Sequence, residues 1–365
     1  MKNKLFCFML IALLGLFFTT GCASYLDLDK SDMSNTSSLD SSYAKTRIGV
    51  CIYQLNDNFM SLFCDELVNY LVSLGFSEDN IIVFGSSNNQ AVQLTQVEEL
   101  IDRGVDALIV NPVNSAIVHT ITDKAVNNGI PLVYINREPS ADEEANWEEY
   151  DLSVTYVGCD ARQSGIYQGE LLAGLGGDTL DINGDGAIQY YMIEGAPENI
   201  DAGFRTLYSL STLTNSGFKM DCLLDEVGNW DKATSKLITA KGISQNLIPE
   251  VIICNNDAMA LGAIDAVKEA GLTPGRDVYI VGVDALPEAI EEVKNGTMVG
   301  TVFNDYIGQS HNAADAALRY LNGEENEHYI GCEYVKVSSS NAQQVLELIQ
   351  SSDTDEDANV EYKQP

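Results

Sequence analysis

Residues 46–86 indicate the fold class of the chain, and they read TRIGVCIYQLNDNFMSLFCDELVNYLVSLGFSEDNIIVFGS. A β-rich run, RIGVCIY (47–53), is followed by a helical pattern over 58–74 and then by a second β-rich run, NIIVFGS (80–86). The helical pattern places apolar side chains on one face: Phe59, Leu62, Phe63, Leu67 and Leu71. A strand, an amphipathic helix and a strand in succession predict two parallel strands covered by a helix.

The same alternation continues along the chain and then restarts. In the first series, two more strands are predicted: DALIVNP (106–112) and PLVYIN (131–136). The second series contains six: TYVGCD (155–160), IQYYMIEG (188–195), MDCLLDEV (220–227), EVIICNND (250–257), VYIVGVD (278–284) and VGTVFND (299–305). The length of 365 residues suits two units of roughly 150 residues each. We therefore predict an α/β fold of two doubly wound lobes with parallel sheets.

Several predicted strands end in Asn or Asp, namely Asn111, Asn136, Asp160, Asn256, Asp284 and Asn304. In doubly wound sheets a ligand binds beyond the carboxyl ends of the strands, so these side chains are candidates for one shared cleft. Each residue taken alone has a simpler explanation, since Asn and Asp are also favoured caps at the start of the following helix. Their recurrence in both predicted lobes favours the cleft.

The net charge of the chain argues against some classes of binding partner. The chain carries 20 Lys+Arg against 54 Asp+Glu, a net charge of −34, with 45% hydrophobic residues. A field of this sign repels phosphate backbones and anionic lipid surfaces, which argues against nucleic acid as a partner and against membrane docking by charge.

The N-terminus predicts export. Lys2 and Lys4 precede an apolar run over 5–18, which is too short for a typical membrane span, and Gly21 precedes Cys22. This pattern predicts a lipoprotein signal peptide over 1–21 with lipidation of Cys22, leaving the protein on the outer side of a bacterial cell membrane. Thr19 replaces the usual Leu, so a plain cleaved signal or an uncleaved anchor stays open. Residues 22–43 suggest a flexible tether and 351–365 a disordered acidic tail.

Six cysteines lie between these ends: Cys51, Cys64, Cys159, Cys222, Cys254 and Cys332. Their spacing matches no CxxC or other metal-binding pattern. Thiols in an exported protein suggest reducing surroundings, while the spacing leaves disulfides open.

Five further strings carry a specific resemblance: residues 46–60, INREPS (135–140), NNDAMALGA (255–263), VGVDALPEA (281–289) and VGTVFND (299–305). From about Thr46 to Val337 the chain resembles the galactose/glucose-binding proteins, which have the type I periplasmic binding protein fold. The resemblance implies one lobe over 44–158 and 304–337 and a second over 159–303 and 338–350. It also implies a three-segment hinge near 158–160, 303–306 and 337–340, closure on a hexose, and delivery to the permease of an ABC transporter. We expect a monomer; a chemoreceptor is a further candidate partner.

The resemblance also implies a set of sugar-binding residues: Asp57, Phe59, Asn136, Asn199, Asp201, Arg205, Trp230, Asn256, Asp284 and Asn304. The chemistry agrees, because a pyranose offers apolar C–H faces to aromatic rings and hydroxyls to carboxylates and amides. Alternatives exist for single residues: Phe59 could belong to a core, Trp230 to a surface and Arg205 to a salt bridge. Asn199 stands where the family has His, which leaves the preference between galactose and glucose open.

The segment DINGDGAIQ (181–189) has the alternating oxygen ligands of an EF-hand-like calcium loop. Its candidate ligands are Asp181, Asn183, Asp185, the Ala187 carbonyl and Gln189. The twelfth position is Met192 rather than Glu, so a metal-free turn is the alternative. The resemblance implies that a distant Glu, Glu250, completes a structural Ca²⁺ site.

Other functions fit less well. The three histidines, His119, His311 and His328, have no metal or triad spacing, and no catalytic residues are predicted, although paired acids for glycoside hydrolysis could occur among so many carboxylates. A sensing lipoprotein that presents sugar to a receptor stays open. A repressor of this fold is excluded by the export signal and the missing basic DNA-binding segment.

Overall fold

Residues 41–352 are described by the computed structural model, and they contain two parallel β-sheets flanked by helices. The predictions for the signal peptide, for Cys22 and for most of the tether and acidic tail lie outside the described residues. Within the described residues, no helix combines the length and apolar character needed to cross a membrane.

The first sheet has the strand order β11-β5-β4-β3-β1-β2, and every neighbouring pair is parallel. Its strands are β1 (Ile48–Ile52), β2 (Ile81–Gly85), β3 (Ala107–Val110), β4 (Leu132–Ile135), β5 (Val154–Cys159) and β11 (Tyr329–Cys332). Its helices are α1 (Asn58–Ser73), α2 (Gln90–Asp102), α3 (Val118–Asn127), α4 (Ala141–Glu149) and α11 (Tyr306–Leu321). We call this unit the first lobe.

The second sheet has the order β7-β6-β8-β9 and is also parallel. Its strands are β6 (Ile188–Glu194), β7 (Met220–Val227), β8 (Val251–Cys254) and β9 (Tyr279–Val281), with β10 (Thr301–Phe303) and β12 (Val335–Val337) paired antiparallel beside β9. Its helices are α5 (Ala161–Ala173), α6 (Gly177–Leu180), α7 (Ile200–Asn215), α8 (Lys232–Ser244), α9 (Asp257–Glu269), α10 (Pro287–Lys294) and α12 (Ala342–Ser352). We call this unit the second lobe. The predicted α/β architecture of two doubly wound lobes is confirmed.

Helix α1 shows why the sequence folds as it does. The Asp57 carboxylate accepts a hydrogen bond from the Met60 N–H and so caps the helix. Phe59, Phe63, Leu67 and Leu71 then recur every four residues and are buried against the sheet. The strands of the first lobe are buried along their length at β1, β3, β4 and β5, as their unbroken apolar sequences require.

The chain crosses between the lobes three times. The first crossing follows Cys159 and the second lies between Phe303 and Tyr306, both near the expected positions. The third lies between Cys332 and Val335, because β12 pairs with β10 in the second lobe. Residues 335–337, which the sequence analysis assigned to the first lobe, therefore belong to the second.

The ends of the folded region also differ slightly from the expected ones. A 3₁₀-helix spans Ser41–Lys45, and the Tyr43 ring stacks on Phe76 with ring centroids 5.3 Å apart. Tyr43, assigned to the tether, is thus part of the folded unit. At the other end, α12 extends to Ser352, two residues into the segment assigned to the tail.

Candidate functional site

The carboxyl ends of the strands in the two lobes face one cleft that encloses about 340 Å³, part of it open to solvent. Its lining consists of Tyr53, Asp57, Phe59, Met60, Asn136, Arg137, Asn199, Asp201, Arg205, Trp230, Asn256, Asp284 and Asn304. The structure therefore gathers all ten side chains named from the sequence. Both lobes contribute, so any ligand held there would contact both.

The first lobe supplies an aromatic and acidic wall. Asp57 uses one carboxylate oxygen to cap α1 and accepts a 2.7 Å hydrogen bond from the Tyr53 hydroxyl with the other. The Arg137 guanidinium lies over the Tyr53 ring, 3.6 Å from its centroid. Burial, together with the neighbouring Asp57 carboxylate, raises the pKa of Tyr53 well above its ordinary value, so its hydroxyl stays a hydrogen-bond donor.

Phe59 is both a core residue and a cleft residue. Only 6% of it is exposed, and its ring packs edge-on against Tyr306 with centroids 6.4 Å apart. The same ring lines the cleft. The alternative that Phe59 belongs to the core is therefore partly right, since the core fixes the orientation of the face it offers.

In the second lobe, a buried arginine lies among acids. Arg205 donates to the Asn255 carbonyl at 2.7 Å and to the Tyr334 hydroxyl at 3.1 Å, and its Nη1 is 3.8 Å from Asp284 Oδ1. Burial raises the pKa of Asp201 to about 7 and that of Asp284 to about 7, while the Arg205 charge opposes both shifts. These carboxylates are poised near neutrality in a cleft, a pattern typical of functional sites.

Three buried polar atoms in the cleft residues have no hydrogen-bond partner within the described part of the chain: Asp201 Oδ1, Arg205 Nε and Trp230 Nε1. Buried polar groups in folded proteins are nearly always paired with protein, water or ligand. An acceptor and two donors in one cleft fit a ligand that both donates and accepts hydrogen bonds.

Trp230 is held by an unusual local backbone. It follows β7 with φ = 65°, in the left-handed region, after Asn229 at φ = 53°. A Cβ added at Gly195 would lie 2.0 Å from the indole ring, so only glycine leaves room for it there. The backbone conformation at Trp230 and the space left by Gly195 together set the position of the indole ring.

Asp284 is supported by a buried polar network. Its backbone has φ = 116°, and the next residue, Ala285, also has positive φ. The Asn304 amide donates to Asp284 Oδ1 at 3.3 Å and accepts from Gln309 at 2.8 Å. Asp257 fixes the following turn by accepting from the Leu286 N–H at 2.9 Å and from the Thr301 hydroxyl at 2.7 Å.

The capping interpretation holds for some strand-end residues and not for others. Asp160 and Asn256 cap α5 and α9 with their side chains. Asn111 lies outside the lining and is fully buried, where it donates to the Ile135 carbonyl and to the side chain of Asn136. Asn136 itself has φ = 62° and faces the cleft. Asn199 caps α7 through the Asp201 N–H at 3.0 Å while lining the cleft.

Three lining residues were missed by the sequence analysis: Tyr53, Met60 and Arg137. Tyr53 ends the RIGVCIY strand and Arg137 follows Asn136, so the strand-end rule would have found both had it not been limited to Asn and Asp. Met60 gives no such signal.

The predicted calcium loop is closely wound. Asp181 accepts from the N–H groups of Gly184 and Gly186, and Asp185 accepts from the Ala187 N–H, all within 2.9 Å. Glu250, from the start of β8, accepts from the Asn183 and Gln189 N–H groups at 2.9 Å each and so joins both ends of the loop. The hydrogen bond from the Ala187 N–H, followed by one from the Gln189 side chain, lowers the pKa of Asp185.

Among residues 41–352, no group of three or more His, Cys, Asp or Glu side chains is arranged to hold a metal by itself. The loop would have to combine its carboxylates with amide and carbonyl oxygens, as hard cations accept. Asn183 and Gln189 already contact one another through their amides at 2.6 Å, and Ala187 adds a carbonyl beside Gln189. This donor set suits Ca²⁺ because its ligands are oxygen atoms, the loop winds tightly, and Glu250 is held against both ends of the loop.

Comparison with known proteins identifies the family. A family model described as a periplasmic binding protein domain matches residues 48–325. The chain belongs to this family. Among its relatives, the D-galactose/methyl-galactoside binding periplasmic protein of Haemophilus influenzae is 38% identical over 270 residues, covering 73% of this chain and 78% of that protein. The ribose import binding protein of Escherichia coli is 26% identical and covers 77% of this chain and 87% of that protein.

Solved structures agree with this assignment. An ABC transporter solute binding protein from Bacillus halodurans, with bound myo-inositol, is 26% identical with a TM-score of 0.72 and covers 84% of this chain and 98% of that one. The two-lobed architecture of this periplasmic binding protein is therefore shared along nearly the whole folded region.

Proposed function

We propose that this periplasmic binding protein captures a hexose, D-galactose or D-glucose or a methyl-galactoside, in the cleft and delivers it to an ABC transporter. The observation that carries the proposal is the cleft itself, which is lined by aromatic rings, carboxylates and residues that hold unpartnered buried polar atoms. The galactoside-binding relative, at 38% identity, supports this sugar class. No covalent chemistry is needed, and the relatives named above are binding proteins rather than enzymes.

In this proposal the rings bind the apolar faces of the sugar and the polar groups bind its rim. Phe59 and Trp230, from opposite lobes, lie against the two faces of the pyranose. Asp57, Asp201 and Asp284 accept hydroxyl protons, and Arg205 donates through its unpartnered Nε. The contacts to Asp201 and Arg205 would satisfy buried atoms that are otherwise unpaired, which favours a ligand rich in hydroxyl groups.

Closure follows from this arrangement. Because the sugar contacts both lobes, it stabilises the closed form over the open form, and the permease recognises the closed form. Lipidation at Cys22 would hold the protein on the outer side of the cell membrane near that permease. A receptor that reads the same closed form is a further partner within the proposal.

Calorimetric titration of the purified protein tests the sugar. We expect D-galactose, D-glucose or methyl-galactosides to bind more tightly than D-ribose, D-allose and myo-inositol, which related proteins bind. Tightest binding of a pentose or an inositol would refute the hexose assignment. Since galactose and glucose differ only at carbon four, both epimers should be titrated separately.

We also propose that Asp181, Asn183, Asp185, Ala187, Gln189 and Glu250 hold one structural Ca²⁺. The ion would neutralise the carboxylates of the loop and stabilise the native state by mass action. A calcium chelator should then lower Tm, and added Ca²⁺ should restore it. Identical melting curves in chelator and in excess Ca²⁺, with no co-purifying ion, would refute the site. Asp178→Asn, an acid in α6 outside the proposed ligand set, is the control and should leave the calcium response intact.

A further inference from the structure

Two thiols face each other where the chain leaves the first lobe. Cys159 is the last residue of β5 and Cys332 the last residue of β11, and their Cα atoms are register partners in the parallel pair. The two thiols lie close enough to shift each other's pKa. Among residues 41–352, no cysteine is joined to another by a disulfide, and Cys159 and Cys332 are the pair that the strand register places side by side.

The distance between neighbouring strands suits a disulfide bond. Neighbouring strands lie about 4.8 Å apart, and disulfides form between Cα atoms about 4.4–6.8 Å apart. Register partners project from the same face of the sheet, so the two thiols lie on one side of it at a strand spacing within the disulfide range.

The pair lies at the meeting point of the three crossing segments. The first crossing follows Cys159 and the third follows Cys332, while Asp305, in the second crossing segment, lies near enough to the Cys159 thiol to affect its pKa. Two residues beyond Cys332, the Tyr334 hydroxyl accepts a hydrogen bond from Arg205 in the cleft. A bond at this place would thus connect the hinge to the binding site.

We propose that Cys159 and Cys332 are an oxidation site that forms a disulfide by exchange with an external disulfide, tying the first crossing segment to the third. In the first step a Cys332 thiolate attacks one sulfur of the external disulfide and releases the other as a thiolate. In the second, Cys159 loses its proton and attacks Cys332 Sγ, expelling the remaining external thiolate. The protein loses two protons and two electrons, and the external disulfide gains both electrons to become two thiols.

The environment sets the order of attack. Cys332 is half-buried, and the adjacent Cys159 thiol together with a hydrogen bond from the Asn312 amide lowers its pKa, although burial and the Asp305 and Glu333 charges oppose this. Cys159 is 3% exposed, and burial raises its pKa well above the ordinary range. The reachable, more acidic thiol therefore reacts first, and the buried thiol resolves the mixed disulfide.

The test uses oxidised glutathione on the full chain, followed by peptide mapping without reductant. It is done in a Cys222→Ser background, because Cys222 is exposed and would react on its own. We expect a peptide cross-linked between residues 159 and 332 and no stable adduct on either. Adding Cys159→Ser should trap one glutathione on Cys332, whereas adding Cys332→Ser should leave Cys159 unmodified.

Two outcomes would overturn the proposal: a glutathione adduct that persists on Cys332 while Cys159 is present, or a cross-link between other cysteines. A variant that fails to fold is recognised separately, since it would also acquire glutathione on the buried Cys51 and Cys254.

The consequence for the hinge rests on the proposed function. A tie between two crossing segments restricts their bending, so the oxidised protein should release bound galactose several-fold more slowly than the reduced protein. In the Cys332→Ser variant the oxidant should have no effect on this rate. Equal rates in both redox states would overturn the coupling to the hinge. Because the cross-link is mapped without sugar, its failure is distinguishable from a failure of the sugar assignment.

Discussion

Replacing Asp57 separates the stability of the cleft from its affinity. In the structure Asp57 caps α1 through one oxygen and accepts from the buried Tyr53 hydroxyl through the other. Losing the cap costs about 1 kcal/mol, and losing a hydrogen bond to a charged acceptor costs about 1.5–3 kcal/mol. Asp57→Ala should therefore lower the free energy of unfolding by roughly 2–4 kcal/mol.

Affinity should fall as well, and by a separate mechanism. A sugar hydroxyl that donates to this carboxylate loses a charge-assisted bond, worth about 1.5–3 kcal/mol, and is left unpaired. We expect a loss of roughly 2–4 kcal/mol for galactose and glucose alike, or about 30- to 1,000-fold in Kd. Asp57→Asn retains an oxygen able to cap the helix, so it should recover much of the stability while binding sugar nearly as weakly.

Calorimetric titration with both epimers and chemical denaturation measure these two quantities. Asn89→Ala is the matched control, because Asn89 caps α2 outside the cleft lining. It should lower stability by about 1 kcal/mol and leave affinity unchanged. Full-strength binding by Asp57→Asn would place the sugar away from this carboxylate.

Three further predictions concern the second lobe. Trp230→Phe should abolish the change in tryptophan fluorescence on sugar binding. Trp147 is buried against Tyr134, and Trp147→Phe should leave that change in place. A fluorescence change that survives Trp230→Phe would contradict this. Gly195→Ala should displace the indole and weaken sugar binding at least tenfold, while Gly203→Ala, whose added methyl meets nothing within 4 Å, should bind normally. The pKa of Asp201 is raised by burial to about 7, so the folded state holds a proton that the unfolded state has lost above pH 4. Between pH 4 and 7 this group alone should lower the stability of the sugar-free protein by at most about 1.4 kcal/mol per pH unit. Asp284, whose pKa burial also raises to about 7, contributes in the same direction, so Asp201→Asn should reduce the slope in melting curves without removing it.

Much of the fold could be predicted because buried strands and amphipathic helices each leave their own spacing of apolar residues in the sequence. The ten strands named from the sequence all occur, with bounds that differ by at most two or three residues. The strand β11, which carries Gly331 and is only partly buried, gave no such pattern. The β12 strand was placed in the wrong lobe, because its partner depends on where the chain crosses rather than on any local sequence signal.

The candidate site could likewise be predicted only in part. The positions of Asn136, Asp284 and Asn304 follow from strand ends, and all ten sugar-binding residues implied by the family resemblance line one cleft. Arg137 was missed because the strand-end rule was limited to Asn and Asp, and its stacking over Tyr53 is a contact between two strand ends that are distant in sequence. The raised pKa of Asp201 likewise depends on burial by the whole lobe. Which sugar these residues prefer stays a prediction.

The three crossings have a consequence for how the chain is made. The first sheet is completed by β11, and α11 packs on α1, yet both segments follow the entire core of the second sheet in the sequence. A nascent chain that ends near residue 300 therefore has an unpaired β5 edge and an uncovered face on α1. Since neither lobe is contiguous, both must wait for the last fifth of the chain, and long-range closure of this kind slows folding. Truncation before Tyr329 should consequently yield an aggregating product rather than a separate, stable first lobe.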